Sequence, residues 1–134
     1  MLDTDSSRNN PTGKLVVVVE DDPSIAVLIA TTLESAGYLP RVVQDGRRAL
    51  QVVRELQPDV ITLDLELPGL DGRAVLRRLC AETPEDALPV VVVSGSISLL
   101  SRDERRLVAR LLPKPFSINE LIEAVDAVAE RSAS

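Results

Sequence analysis

The chain has 134 residues, 15 basic and 21 acidic side chains and a net charge of −6. That length suits one small domain, and the acidic balance argues against direct nucleic-acid binding. The lone cysteine, Cys80, excludes an internal disulfide, and no apolar run approaches the roughly 18 residues of a membrane span. The N-terminus, Met1-Leu2-Asp3-Thr4-Asp5, lacks a basic-then-apolar signal, so a cytoplasmic location is expected, without membrane attachment. Tyr38 and Phe116 are the only aromatic residues, so the core must be aliphatic.

Residues 1–13, rich in Asp, Ser, Asn, Pro and Gly, are expected to form a disordered tail, because they cannot bury enough apolar surface to order themselves. From Lys14 on, strand and helix patterns alternate. Leu15–Val19 reads as a strand and ends in Glu20, Asp21 and Asp22. Pro23 suits the first turn of a helix. Ile25, Leu28, Ile29, Leu33 and Ala36 then form its inward stripe, and Gly37 stops it. A short strand around Arg41–Val43 leads to a helix from about Arg47, with Ala49, Leu50, Val53 and Leu56 inward, ended by Pro58.

The run Val60-Ile61-Thr62-Leu63 reads as a strand buried on both faces, and it delivers Asp64 at once to the loop Leu65-Glu66-Leu67-Pro68-Gly69. A helix from about Gly72, capped by Asp71 and Gly72, buries Val75, Leu76, Leu79 and Cys80. After a loop over Thr83–Leu88, the strand Pro89–Val93 ends at Ser94-Gly95-Ser96. Ser101 and Glu104 have the spacing of a capping box for a helix carrying Leu107 and Val108. A weak strand at Leu111–Leu112 runs into Pro113-Lys114-Pro115. Ser117 and Glu120 form a second capping box, opening a helix with Ile118, Leu121, Ile122, Val125 and Val128 inward.

Five strands alternating with five helices predict an α/β domain, a five-stranded parallel sheet with helices on both faces, over residues 14–131, with 132–134 as a short tail. In such sheets ligands bind beyond the carboxyl ends of the strands. Here those ends supply Glu20, Asp21 and Asp22, then Asp64, Ser94 and Lys114. Carboxylates gathered at one edge are costly without a cation, and oxygen donors suit magnesium, which keeps several waters. Asp22, beside Pro23, is assigned to capping.

The acidic pair, the aspartate before a Leu-Pro-Gly loop, the hydroxyl after a valine-rich strand and Lys114-Pro115-Phe116 resemble, in order and spacing, the receiver domain of two-component response regulators. The likeness to chemotaxis-regulator-like single domains covers about Lys14 to Arg131. It implies a flavodoxin-like doubly wound fold and a phosphoacceptor rather than an enzyme, with only self-catalysed phosphorylation and dephosphorylation. Asp64 would be the nucleophile that forms an acyl phosphate. Mg2+ would be held by Asp21, Asp64, Glu20 through a water and the Glu66 backbone carbonyl. Ser94 and Lys114 would contact the phosphoryl group.

The resemblance also implies a cis peptide bond before Pro115, a histidine kinase or phosphotransfer protein as donor, and a downstream effector protein as partner. Since only Arg131-Ser132-Ala133-Ser134 follows the last helix, no effector domain is expected within this chain, which is either a stand-alone regulator or a receiver cut from a larger protein. Two departures stand out: Leu111 replaces the common aromatic of the switch, and Pro113 precedes the lysine. Switching is therefore expected to run through Ser94 and Leu111. A homodimer is expected through the face of the fourth helix (Arg102, Arg105, Arg106, Arg110), fifth strand and fifth helix (Glu120, Glu123, Asp126, Glu130). Two alternatives stay open. Asp64-Leu65-Glu66 resembles the acid-x-acid motif of haloacid-dehalogenase-type phosphatases, and a pseudo-receiver would bind partners without taking phosphate.

Overall fold

The computed structural model describes residues 13–82 and 88–132. Most of the expected N-terminal tail, most of the loop expected over 83–88, and the end of the expected C-terminal tail lie outside the described residues.

Five strands form one parallel sheet: β1 (Leu15–Val19), β2 (Leu39–Val43), β3 (Val60–Leu63), β4 (Val90–Ser94) and β5 (Arg110–Pro113), in the order β2-β1-β3-β4-β5. The helices are α1 (Pro23–Ser35), α2 (Ala49–Leu56), α3 (Gly72–Glu82), α4 (Arg102–Leu107) and α5 (Ile118–Ser132). Alternate residues of each strand feed opposite cores. Val17, Val19, Ile61, Leu63, Val90 and Val92 pack with α2 and α3, whereas Val16, Val18, Val60, Val91 and Val93 pack with α1 and α5. β1, β3 and β4 are buried along nearly their whole length, and each fully buried valine or leucine contributes about 1.5–3 kcal/mol. β2 and β5 are the edges. Both prolines of the sheet, Pro40 and Pro113, stand on these edge strands, and beside Pro113 the Ser94 carbonyl takes its hydrogen bond from the Lys114 N–H.

The caps form as the sequence requires. Asp22 accepts the Ser24 and Ile25 N–H groups, Ser101 and Glu104 close a capping box, and Ser117 and Glu120 close another. Asp71 accepts the Arg73 N–H. Gly72 does more than cap, because a Cβ there would fall onto the Leu65 backbone. The Pro68-Gly69 turn, with Gly69 at φ 64°, closes a two-residue antiparallel ladder between Glu66–Leu67 and Leu70–Asp71 that the sequence reading leaves as plain loop. Cys80 is half-buried, and burial pushes its thiol up from the ordinary range, as suits a packing residue.

Three expected core residues are exposed: Leu28, Leu107 and Ile118. On α1 the inward stripe is Ala26, Ile29, Thr32 and Leu33, since a helix apolar on most sides buries only the face the sheet reaches. Leu107 ends the six-residue α4, and Ile118 starts α5 before its inward run of Leu121, Ala124, Val125, Val128 and Ala129. Arg110 belongs to β5 and not to the fourth helix, and it pairs with Glu123 of α5 at 3.5 Å. Among the described residues, no helix is long and apolar enough to cross a membrane.

Candidate functional site

The chain crosses over between β1 and β3, which leave the sheet in opposite winding directions, and their carboxyl ends flank the crevice where such sheets bind ligands. The Asp64 N–H is held by the Val19 carbonyl at 3.0 Å. Its carboxylate accepts the Glu66 N–H on Oδ1 at 3.0 Å and the Lys114 ammonium on Oδ2 at 3.1 Å. Glu20 accepts the same ammonium on Oε1 at 2.8 Å and the Asp22 N–H on Oε2 at 3.1 Å. The Lys114 N–H donates to the Ser94 carbonyl at 3.0 Å, which ties the lysine to β4. The Lys114–Pro115 bond is cis, as expected.

Glu20 and Asp64 are almost wholly buried, and Lys114 largely so. Burial pushes the Glu20 carboxyl above its ordinary range, an effect the Lys114 hydrogen bond only partly offsets. For Lys114, burial favours the neutral amine, but the bonds to Glu20 and Asp64 outweigh it and hold the ammonium above the usual lysine range. Asp21 completes the group: Glu20, Asp21 and Asp64 each bring a carboxylate oxygen within 4.8 Å of the others. Three acids against one ammonium leave surplus negative charge, and an all-oxygen donor set fits a hard divalent cation.

Glu20, Asp21, Asp64 and Lys114 thus come together. Ser94 is fully buried nearby on β4, but its Oγ accepts the Ser96 N–H at 3.1 Å and is not bonded to Asp64 or Lys114. Leu111 is half-buried and packs against the core on the α3 side. The Glu66 side chain is exposed and leans toward Gly95, outside the carboxylate group. That argues against the acid-x-acid phosphatase pattern, in which both acids serve the site. The sequence reading misses Thr62, whose buried hydroxyl has no partner; a lone threonine in a strand carries no signal of that.

The family model for the response regulator receiver domain matches residues 16–126. The chain is 34% identical over 117 residues to the DNA-binding response regulator MtrA of Mycolicibacterium smegmatis, covering 87% of this chain and 51% of that protein. It is 33% identical over 119 residues to the DNA-binding dual master transcriptional regulator RpaA of Synechocystis sp., covering 87% and 49%. The chain therefore spans about half the length of the curated relatives it matches. Among solved structures, the Francisella response regulator 1452 receiver domain superposes with a TM-score of 0.77 at 32% identity, over 90% of this chain and 99% of that one. The CheY-like receiver domain from Methylobacillus flagellatus superposes with a TM-score of 0.79 at 27% identity, over 87% and 99%. With the family model matched over most of its length and these likenesses beside it, the chain belongs to the response regulator receiver domain family of two-component systems.

Proposed function

We propose that this chain takes a phosphoryl group on Asp64 from a histidine kinase or phosphotransfer protein and changes its binding to an effector protein as a result. The observation that carries the reading is the Lys114 ammonium bridging buried Glu20 and Asp64, with Asp21 beside them. In the transfer, an Asp64 carboxylate oxygen attacks phosphorus and the acyl phosphate bond forms. The bond to the donor breaks, and the donor keeps the electron pair. Lys114 turns from the carboxylates to the phosphoryl oxygens, and Ser94 donates its hydroxyl to the same group. Asp21 and Asp64 would hold Mg2+ directly, Glu20 through a water, and Glu66 through its backbone carbonyl. When bound, the ion supplies the positive charge that offsets repulsion between carboxylate and phosphoryl oxygens.

The reading makes the chain a phosphoacceptor acting on itself, not an enzyme with a separate substrate, and it places the chain in the cytoplasm. A donor must approach the carboxyl edge, where α1 begins and where it exposes Val27 and Leu28 one turn in. A homodimer through α4, β5 and α5 is part of the same reading. It is supported by exposed Arg102, Arg105 and Arg106 on α4 facing outward as Glu120, Asp126 and Glu130 do on α5. Sedimentation with and without beryllofluoride tests that dimer.

Incubation with acetyl phosphate and Mg2+ is expected to retard the protein on a phosphate-binding gel, and Asp64→Asn to abolish the shift. A full shift in Asp64→Asn removes the assignment. No shift in the wild type favours the pseudo-receiver.

A further inference from the structure

The segment that follows Ser94 is tied to α3 by a set of polar contacts. Arg73, Arg77 and Cys80 stand four and three residues apart on α3 and so share one face. The Arg73 guanidinium holds Asp71 with Nε and Nη2 and donates with Nη1 to the Leu99 carbonyl at 3.3 Å. Arg77 pairs with Glu104, which is itself bound to the Ser101 N–H at 2.9 Å. The Cys80 thiol meets the Leu107 carbonyl at 3.7 Å. Apolar anchorage comes from buried Leu100 and half-buried Ile97 against the core, whereas Leu99 and Leu107 are exposed.

We propose that Arg73 and Arg77 are positioning residues that latch residues 95–107 in the arrangement keeping Ser94 Oγ on the Ser96 N–H, away from Asp64. The inference rests on the phosphoacceptor reading and adds the regulation of that site. For Ser94 to reach a phosphoryl group on Asp64, the residues that follow it must shift, and that shift strains the Leu99 and Glu104 ties. Latch opening and phosphoryl occupancy therefore favour one another, and the apparent affinity for the phosphoryl group falls in proportion to the fraction of molecules latched. Glu104 is central, because it joins the latch to the capping box that starts α4.

The test uses Arg73→Met and Arg77→Met, which keep an apolar stem, and Glu104→Gln, which drops only the ion pair. Two readouts are taken on the whole chain: amide hydrogen exchange of residues 95–101 without ligand, and the affinity for beryllofluoride with Mg2+. Faster exchange together with beryllofluoride binding tighter by about two- to tenfold is expected, strongest in Arg77→Met, with Arg77→Lys restoring much of the wild-type behaviour. A merely structural role would loosen the fold and weaken binding. Unchanged exchange overturns the latch, and so does faster exchange with unchanged or weaker binding. If the wild type itself binds no beryllofluoride, the phosphoacceptor reading fails and the regulatory role fails with it. The exchange data then report separately on whether the ties hold the segment.

Discussion

At the amino edge of the sheet, Asp59 accepts the Leu15 N–H at 2.8 Å, Lys14 donates to the Ala129 carbonyl at 2.5 Å, and Tyr38 donates its hydroxyl to Asp126. At the carboxyl edge, Glu20 and Asp64 share the Lys114 ammonium, and Asp21 brings a third carboxylate beside them. The first edge pairs each group with a partner of its own and serves to join sheet, α1 and α5. The second is left short of positive charge, so its stability depends on Lys114. A sheet edge that is electrically incomplete marks the site more sharply than any single residue does.

Removing the ammonium tests that contrast most severely. Lys114→Met leaves two buried carboxylates facing one another, and breaking such a buried pair costs about 3–5 kcal/mol. Millimolar Mg2+ is expected to restore part of this, since a ligand that binds only the folded state stabilises it. Denaturant unfolding with and without the ion measures both. A loss under about 1 kcal/mol, the scale of an exposed pair, would place the carboxyl edge on the same footing as the other.

Gly72→Ala perturbs the same edge through the backbone. The added methyl meets the Leu65 main chain, which cannot move without shifting Asp64 and Glu66, so a loss of about 1–3 kcal/mol is expected. Mg2+ affinity should fall with it. Gly46→Ala is the comparison, because its methyl meets only the side-chain ends of Leu67 and Leu70, at 2.6 and 2.8 Å. Unfolding and Mg2+ titration of both variants sharpen the point, and equal effects would show that the Leu65 contact does not govern the site.

Much of the site was legible in the sequence for a simple reason. Apolar runs mark where buried strands end, and in a parallel sheet those ends share one edge, so the sequence alone groups Glu20, Asp21, Asp64 and Lys114. The faces of α1 and α5 were less legible: Leu28 and Ile118 are apolar, yet contact with the sheet decides which residues turn inward. The Arg77–Glu104 pair joins helices 27 residues apart, and no local pattern encodes it. The charge of Arg110 matches the basic fourth helix, while its pairing with Val91 makes it strand. Thr62 was equally silent.

That threonine offers a smaller effect of opposite sign. Its Oγ1 is buried with no partner, one residue along β3 from Leu63 and two from Asp64, and it faces the side that Val60 shares with α1 and α5. Thr62→Val keeps the shape and removes the unsatisfied hydroxyl, so a gain of about 1 kcal/mol is expected from thermal or denaturant unfolding. A loss instead would mean that the hydroxyl has a hydrogen-bond partner in the folded protein, and that the polar edge reaches one residue pair deeper into the sheet.

The amino edge yields the mildest test. Burial first, and then the bond to Asp126, raise the Tyr38 phenol above its ordinary value of 10.0. A value raised in the folded state means that the neutral phenol stabilises the fold. That contribution is whole below about pH 10 and is lost as the pH climbs past it toward the folded value. Tyr38→Phe is expected to cost about 1 kcal/mol near neutral pH, because Asp126 is exposed and water replaces the phenol there. The gap between wild type and variant should then narrow in alkali, where the unfolded wild type gains by ionising and the phenylalanine variant does not. Urea unfolding of both proteins at about pH 8 and again at about pH 11 measures the gap, the two conditions lying on either side of the free phenol's titration. A gap that widens with pH would mean that Tyr38 is bound as the phenolate, and the matched pairing of the amino edge would not hold.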